Sequence, residues 1–221
     1  MSHCTFVLGE SGSGKTTSLR HMSAADALLI QCIKKPLPFR SPGWSYRTGD
    51  NPKGNMFITD NSAQVMDLMR RTGRKIIVCD DFGYSMTNAF MRRANETGYQ
   101  KFTDMARDAW EIVNTACNLD EEVRVYILAH TQTSPEDGVT RIKTIGKLLD
   151  EKVVLEGMVT TVIRAVVEDH AHYFQTQNSG RDTVKCPMGM FKEDRIPNDL
   201  ALVDAAICEF YGIAQQERRA A

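Results

Sequence analysis

The sequence has no run of about 18 apolar residues, the length needed to cross a bilayer, so a membrane-spanning protein is not expected. Its first residues, Met1-Ser2-His3-Cys4-Thr5, lack the basic start and long apolar stretch of a signal peptide, and a cytoplasmic location is expected. The six cysteines (Cys4, Cys32, Cys79, Cys117, Cys186, Cys208) form no C-x-x-C pair and have no histidine at zinc spacing. They read as reduced thiols acting as small hydrophobes. There is no internal repeat, no low-complexity tract and no guanine-reading N-K-x-D segment. Charge of one sign is also missing: the formal net charge is −1, so any contact with nucleic acid has to come from a local basic patch.

What remains has the composition of a folded α/β domain, with 42% hydrophobic and 25% charged residues in 221. The length suits one domain over 1–221, with a tail from about 214 expected to fray. Cys4 to Leu8 is an apolar run ending at a glycine-rich turn, and an amphipathic stretch from Lys15 to about Asp26 predicts a helix behind it. Ala27 to Ile33 predicts a buried strand. The loop after it holds four of the seven prolines (Pro36, Pro38, Pro42, Pro52), too many breakers for a regular element.

Asn55 to Thr59 predicts a short strand, then a helix capped by Asp60 or Asn61 and ended by Gly73. Lys75 to Cys79 and Val123 to Ala129 predict further strands. Between them Phe102, Met105, Ala109, Ile112, Val113 and Ala116 recur at helical spacing. This alternation predicts a mostly parallel sheet flanked by helices. Towards the C-terminus, Val159 to Val167, His172 to Gln177 and, after a polar turn, Thr183 to Lys185 predict antiparallel edge strands. Asn198 is the expected cap of a last helix, with Leu200, Val203, Ile207 and Phe210 on its buried face and Gly212 at its end.

The chemistry concentrates at Gly9-Glu10-Ser11-Gly12-Ser13-Gly14-Lys15-Thr16, a complete G-x-x-x-x-G-K-[ST] between a strand and a helix. The glycines free the backbone to curl around an anion, and successive amides with the following helix start present partial positive charge to phosphates. Lys15 is expected to reach the β- and γ-phosphates of ATP and Thr16 to ligate Mg2+, with Thr17 alongside in the nucleotide site. A second metal anchor is expected from Asp80, at the end of the apolar strand Lys75 to Cys79, where open parallel sheets bind ligands. Asp81 reads either as the base that orients or deprotonates the attacking water or as a cap of the next turn, with Glu10 a weaker candidate for the base. His130, ending the next strand, reads either as a sensor of the γ-phosphate or as a histidine hydrogen-bonded at a strand end.

These residues resemble the RecA-like P-loop ATPases, and more narrowly the small phage ATP-binding proteins of recombination and single-strand annealing systems. The likeness runs nearly the whole chain, through Lys35-Pro36-Leu37-Pro38-Phe39, Asp80-Asp81-Phe82-Gly83-Tyr84, Ala129-His130-Thr131, Lys143-Thr144-Ile145-Gly146-Lys147, Pro187-Met188-Gly189-Met190-Phe191 and Ile196-Pro197-Asn198-Asp199-Leu200. It implies ATP-dependent action on single-stranded DNA in the bacterial host cytoplasm, beside phage or host recombination proteins. It also implies a homo-oligomer whose ATP sites are shared between subunits. The phosphate loop begins at Gly9, without the N-terminal extension that links full-length recombinases, which favours annealing or DNA-stimulated hydrolysis over strand exchange.

In such proteins the segment after the sensor strand contacts DNA. Here Thr131 to Lys152 carries Arg141, Lys143, Lys147 and Lys152, diluted by Glu136, Asp137, Asp150 and Glu151. Arg181 and Lys185 stand where RecA-like assemblies place a basic finger that acts in trans. Two other classes share the phosphate loop: a nucleotide-gated adaptor such as a helicase loader, and a nucleoside or nucleotide kinase. Paired acids after a strand and a histidine at the sensor position favour hydrolysis over the kinase.

Overall fold

The computed structural model describes residues 1–214, apart from the side chains of Asp150 and Glu151. The expected fraying of 215–221, and the charge dilution by those two acids, lie outside the described residues. In chain order the elements are β1 (His3–Gly9), a 3-10 helix (Thr16–His21), β2 (Ala27–Gln31), β3 (Met56–Ile58), α1 (Ser62–Arg71), β4 (Ile76–Asp80), α2 (Gly83–Arg92) and α3 (Gln100–Cys117). There follow β5 (Arg124–Thr133), β6 (Thr140–Ile142), β7 (Thr161–Glu168), β8 (Ala171–Gln175), β9 (Arg195–Pro197) and α4 (Leu200–Tyr211). One nine-stranded sheet runs β3-β2-β4-β5-β1-β7-β8-β9, with β6 paired to β5 off that path. From β3 to β7 the strands are parallel, while β8, β9 and β6 are antiparallel. The α/β architecture with antiparallel strands near the C-terminus is the one expected.

The central strands are apolar on both faces because both faces are covered. Alternate residues of β1, β4 and β5 (Phe6, Leu8, Ile77, Cys79, Val125, Ile127) join a core with α1 and α3 through Val65, Met69, Ala109, Ile112 and Val113. Val7, Ile76, Val78, Tyr126 and Leu128 point the other way, onto Leu19 of the 3-10 helix and Leu200, Val203 and Ile207 of α4. Full burial of such side chains is worth roughly 1.5–3 kcal/mol each. Five of the six cysteines are buried, in keeping with their reading as core residues.

Several local expectations are corrected. The helix expected from Lys15 to about Asp26 is a six-residue 3-10 helix. Thr16, Thr17 and Ser18 are weak helix formers, the Ser18 hydroxyl donates to the Lys15 carbonyl at 2.6 Å, and Met22 is already extended. Asn61 caps α1 by accepting from the Gln64 amide at 3.0 Å, but the helix ends at extended Thr72 rather than at Gly73. The chain runs straight on towards β4 and needs no left-handed turn there.

Thr183 to Lys185 is not a strand. Asp182 Oδ1 takes the Val184 amide at 3.0 Å, leaving a single bridge between Lys185 and Val162, and the outer antiparallel strand is β9 instead. The cap of α4 is Asp199, whose carboxylate accepts from the Ala201 amide at 3.0 Å, so Asn198 is free for another task. Phe210 is 43% exposed and lies edge-on against Tyr211 rather than in the core, while Gly212 ends the helix in the left-handed conformation as expected.

Candidate nucleotide site

Parallel pairing brings the ends of β1, β5, β4 and β2 together at one rim of the sheet. Gly9 stands opposite His130, and Gln31 opposite Asp80. Because β5 lies between β1 and β4, its His130 falls between the phosphate loop and the acid pair; it does not end the strand as expected but is the last residue paired with β1, and β5 runs on to Thr133 to pair with β6. Sequence separation hides this, since 50 residues part His130 from Asp80.

The loop is packed as tightly as its glycines suggest. A Cβ on Gly9 would meet Ser13 Oγ at 2.5 Å and the Ala165 carbonyl oxygen of β7 at 2.7 Å, so no larger residue fits without moving backbone. Gly14 has φ +92° and faces His172 Nδ1 and the Asn198 amide. Lys15 is buried, its ammonium donating to the carbonyls of Gly9 and Glu10 at 2.8 Å each and lying 3.5 Å from His130 Nδ1. Burial pulls its pKa down to about 8, against the opposing pull of Asp81 and Asp80. The Glu10 side chain is exposed and does not line the cavity, which removes the geometric basis for a base there.

The Thr16 hydroxyl donates to Asp80 at 3.0 and 3.2 Å from the two carboxylate oxygens. Burial, with Asp81 alongside, pushes Asp80 up to about 6, as expected of a carboxylate short of countercharge. A hydroxyl and a carboxylate in contact form a hard-oxygen pair that fits Mg2+. Among the described residues no cluster of three or more His, Cys, Asp or Glu side chains offers a metal cage. Two protein oxygens completed by phosphates and water are how Mg2+ is usually held.

Asp81 adopts a left-handed conformation, φ 58°, that an aspartate tolerates better than most residues. That bend buries its carboxylate, which is 5% exposed, between two side chains: it is ion-paired with Lys35 and lies 3.6 Å from His130 Nε2. Burial alone would raise its pKa, but hydrogen bonds from His130 and Lys35 win and hold it below the usual range. The capping alternative does not hold, since the N-cap of α2 is Phe82 with no side-chain bond. His130 therefore touches Lys15 through one ring nitrogen and Asp81 through the other. Tyr84 stands edge-on to its ring at 6.1 Å.

A cavity of about 570 Å3 opens over these groups, lined by Ser11, Gly12, Gly14, Lys15, Thr16 and Thr17 and, from elsewhere, Arg20, Lys35, Pro38, Asp81, His130, His172 and Asn198. Its size is that of a nucleotide-sized ligand site. Sequence reasoning gave no site role to Lys35, Arg20, His172 or Asn198, although Lys35 and Asn198 stand in segments of the family likeness. For Lys35 there was a usable signal, a cation just past the carboxyl end of a buried strand. His172 and Asn198 are brought in by β8 and the β9–α4 junction, where Asn198 Nδ2 is buried with no partner and Arg20 donates to the Asn198 carbonyl at 2.6 Å.

The candidate DNA-contacting and finger residues do not line this cavity. Arg141 is engaged by Asp137 in a two-pronged ion pair, whereas Lys143 and Lys147 are exposed. Thr131 to Lys152 folds as the β5–β6 hairpin followed by a π-helical turn at Leu148–Lys152. The Lys143 amide donates to the His130 carbonyl at 2.7 Å, a direct backbone link to the site. Arg181 and Lys185 are both exposed, and the Arg181 carbonyl accepts from Thr140 at 2.9 Å, setting it beside the β6 hairpin. No helix among the described residues is long and apolar enough to cross a membrane.

No family model and no curated relative matches this chain. Among solved structures it is similar to the X-ray structure of the Legionella pneumophila ATPase DotB, at 12% sequence identity and a TM-score of 0.34. That match covers 98% of this chain and 59% of the other, so the chain spans about three-fifths of that protein's length.

Proposed function

We propose that this chain is a RecA-like, magnesium-dependent ATPase that acts on single-stranded DNA in phage-type recombination or annealing. The observation that supports it most is the contact series Lys15–His130–Asp81 beside the Thr16–Asp80 pair: Lys15, Thr16, Asp81 and His130, from three strand ends, line one cavity, and Asp80 is buried behind Thr16. The Gly9–Thr16 amides and Lys15 hold the phosphates, and Thr16 with Asp80 holds Mg2+. Bound there, the ion neutralises phosphate charge that would otherwise oppose attack. A water oxygen bonds to the γ-phosphorus as its bond to the β–γ bridging oxygen breaks. Asp81 takes the water's proton, and ADP and inorganic phosphate are the products. His130, in contact with both Lys15 and Asp81, transmits the state of the phosphate to the base.

Coupling to DNA is supported by the family resemblance, by exposed Lys143 and Lys147, and by the bond from Lys143 to His130. The resemblance likewise supports a homo-oligomer in which Arg181 or Lys185 reaches a neighbour's γ-phosphate. Turnover measured with and without single-stranded DNA, and with a nucleoside acceptor in place of water, tests the activity. DNA-stimulated release of phosphate is expected, and phosphoryl transfer to the nucleoside would establish the kinase instead. Mixing Lys15→Ala subunits with Arg181→Ala/Lys185→Ala subunits should restore turnover; co-assembly without restored turnover would refute the shared site.

A second reading, a nucleotide-gated adaptor, is favoured by one observation: Asp81 is held in an ion pair with Lys35 and is not free to act on water. Nucleotide binding without turnover, with or without DNA, would establish it.

A further inference from the structure

We propose that Lys35 is a triphosphate-responsive latch, holding Asp81 until ATP enters and then moving to the terminal phosphate, which frees Asp81 for water. The inference rests on the ATP-site reading above and adds a residue and a control step to it.

Lys35 belongs to neither nucleotide motif, yet it lines the same cavity as Gly14, Lys15 and Thr16. It is well placed to move at its tip but not at its root. Its carbonyl accepts from Gln31 Nε2 and from the Tyr46 hydroxyl, both at 3.3 Å, and the Tyr46 hydroxyl also donates to Gln31 Oε1 at 2.8 Å. Gln31 is itself buried at the end of β2, opposite Asp80 in the register. The backbone is thus tied to the strand that flanks the acid pair, and Pro36 restricts it further. Beyond that anchor the side chain is 41% exposed, a flexible four-carbon stem carrying a compact charge.

The partner it holds differs from an ordinary surface acid. Asp81 is 5% exposed, and leaving such a carboxylate without a countercharge is costly, which accounts for the ion pair. Lys15 cannot serve that purpose as well, because its ammonium is committed to two loop carbonyls. A terminal phosphate, with a second pKa near 6 in phosphate monoesters, brings close to two negative charges into the cavity and outbids a single carboxylate for the ammonium. ADP ends one phosphate short of that position, so it leaves the latch on Asp81. His130 remains beside the released carboxylate, at 3.6 Å.

The test uses the full chain with magnesium and compares a non-hydrolysable ATP analogue with ADP by titration calorimetry in wild type, Lys35→Met and Lys35→Arg. Loss of one charge-assisted contact should weaken the analogue by about 10- to 100-fold and leave ADP within about twofold, with arginine recovering most of the difference. Asp81→Asn should tighten the analogue in the wild-type background, by releasing Lys35 beforehand, and not in the Lys35→Met background. Equal weakening of both nucleotides, no change in either, or the same Asp81→Asn effect in both backgrounds would overturn the latch. Failure of the ATP-site reading would look different: neither nucleotide would bind wild type, or Lys15→Ala would bind both unchanged.

Discussion

The rim formed by β1, β4 and β5 and the hairpin that continues from β5 carry comparable numbers of charges, but they use them in opposite ways. At the rim each ionic group is largely withdrawn from water and held by specific partners: Lys15 by the carbonyls of its own loop, Asp80 by Thr16, Asp81 by Lys35 and His130. On the hairpin half-buried Arg141 is paired with Asp137 four residues away, and just after it Lys143 and Lys147 are exposed. Charge in a fixed, low-dielectric setting acts on one ligand atom, whereas exposed charge acts only through its summed field. The same residue types therefore support a sharp chemical reading in one place and only a diffuse one in the other.

Breaking the rim should cost most. Lys15→Ala is expected to lower ATP affinity on the order of 1000-fold, since a buried cation at the phosphates is lost. Equilibrium titration giving near-wild-type affinity would remove the special status claimed for the rim. Asp81→Asn should retain ATP and slow single-turnover hydrolysis about 100-fold or more, the range for losing a general base. An unchanged rate constant would make the Asp81 contacts structural only.

On the hairpin the effects should be smaller and depend on salt. Lys143→Glu with Lys147→Glu is expected to flatten the log–log salt dependence of single-stranded DNA binding by about 1.4, at about 0.7 per phosphate contact. Identical slopes would take this surface out of any DNA site. Arg141→Ala should change DNA affinity by less than about twofold, because its charge is already spent on Asp137. A tenfold loss would show that the ion pair opens on binding and would blur the contrast between the two regions.

The strands that build the rim are legible in the sequence because each is a short apolar run buried on both faces, and β1, β4 and β5 fall within a few residues of expectation. Elements at the periphery are less so. The 3-10 helix at Thr16–His21, the single bridge at Lys185 and the capping of α4 by Asp199 were each decided by a hydroxyl or carboxylate competing for a nearby backbone group. Composition and periodicity do not register such bonds. The turn between β7 and β8 falls in the gap expected between Val167 and His172, although no glycine marks its two left-handed residues, Asp169 and His170.

By itself the sequence determined the phosphate loop, the strand that delivers Asp80 and Asp81, and the strand that delivers His130. Each depends on local spacing and on apolar runs that have to be buried. Only the tertiary structure decided that His130 falls between Lys15 and Asp81, because this follows from β5 inserting between β1 and β4. It alone decided that Lys35 meets Asp81 and that Asn198 meets the loop at Gly14. Those meetings join residues 46 and 184 positions apart, Lys35 to Asp81 and Gly14 to Asn198. They arise from strand order and from chain reversals whose cost and direction are set by the packed sheet, not by the residues on either side.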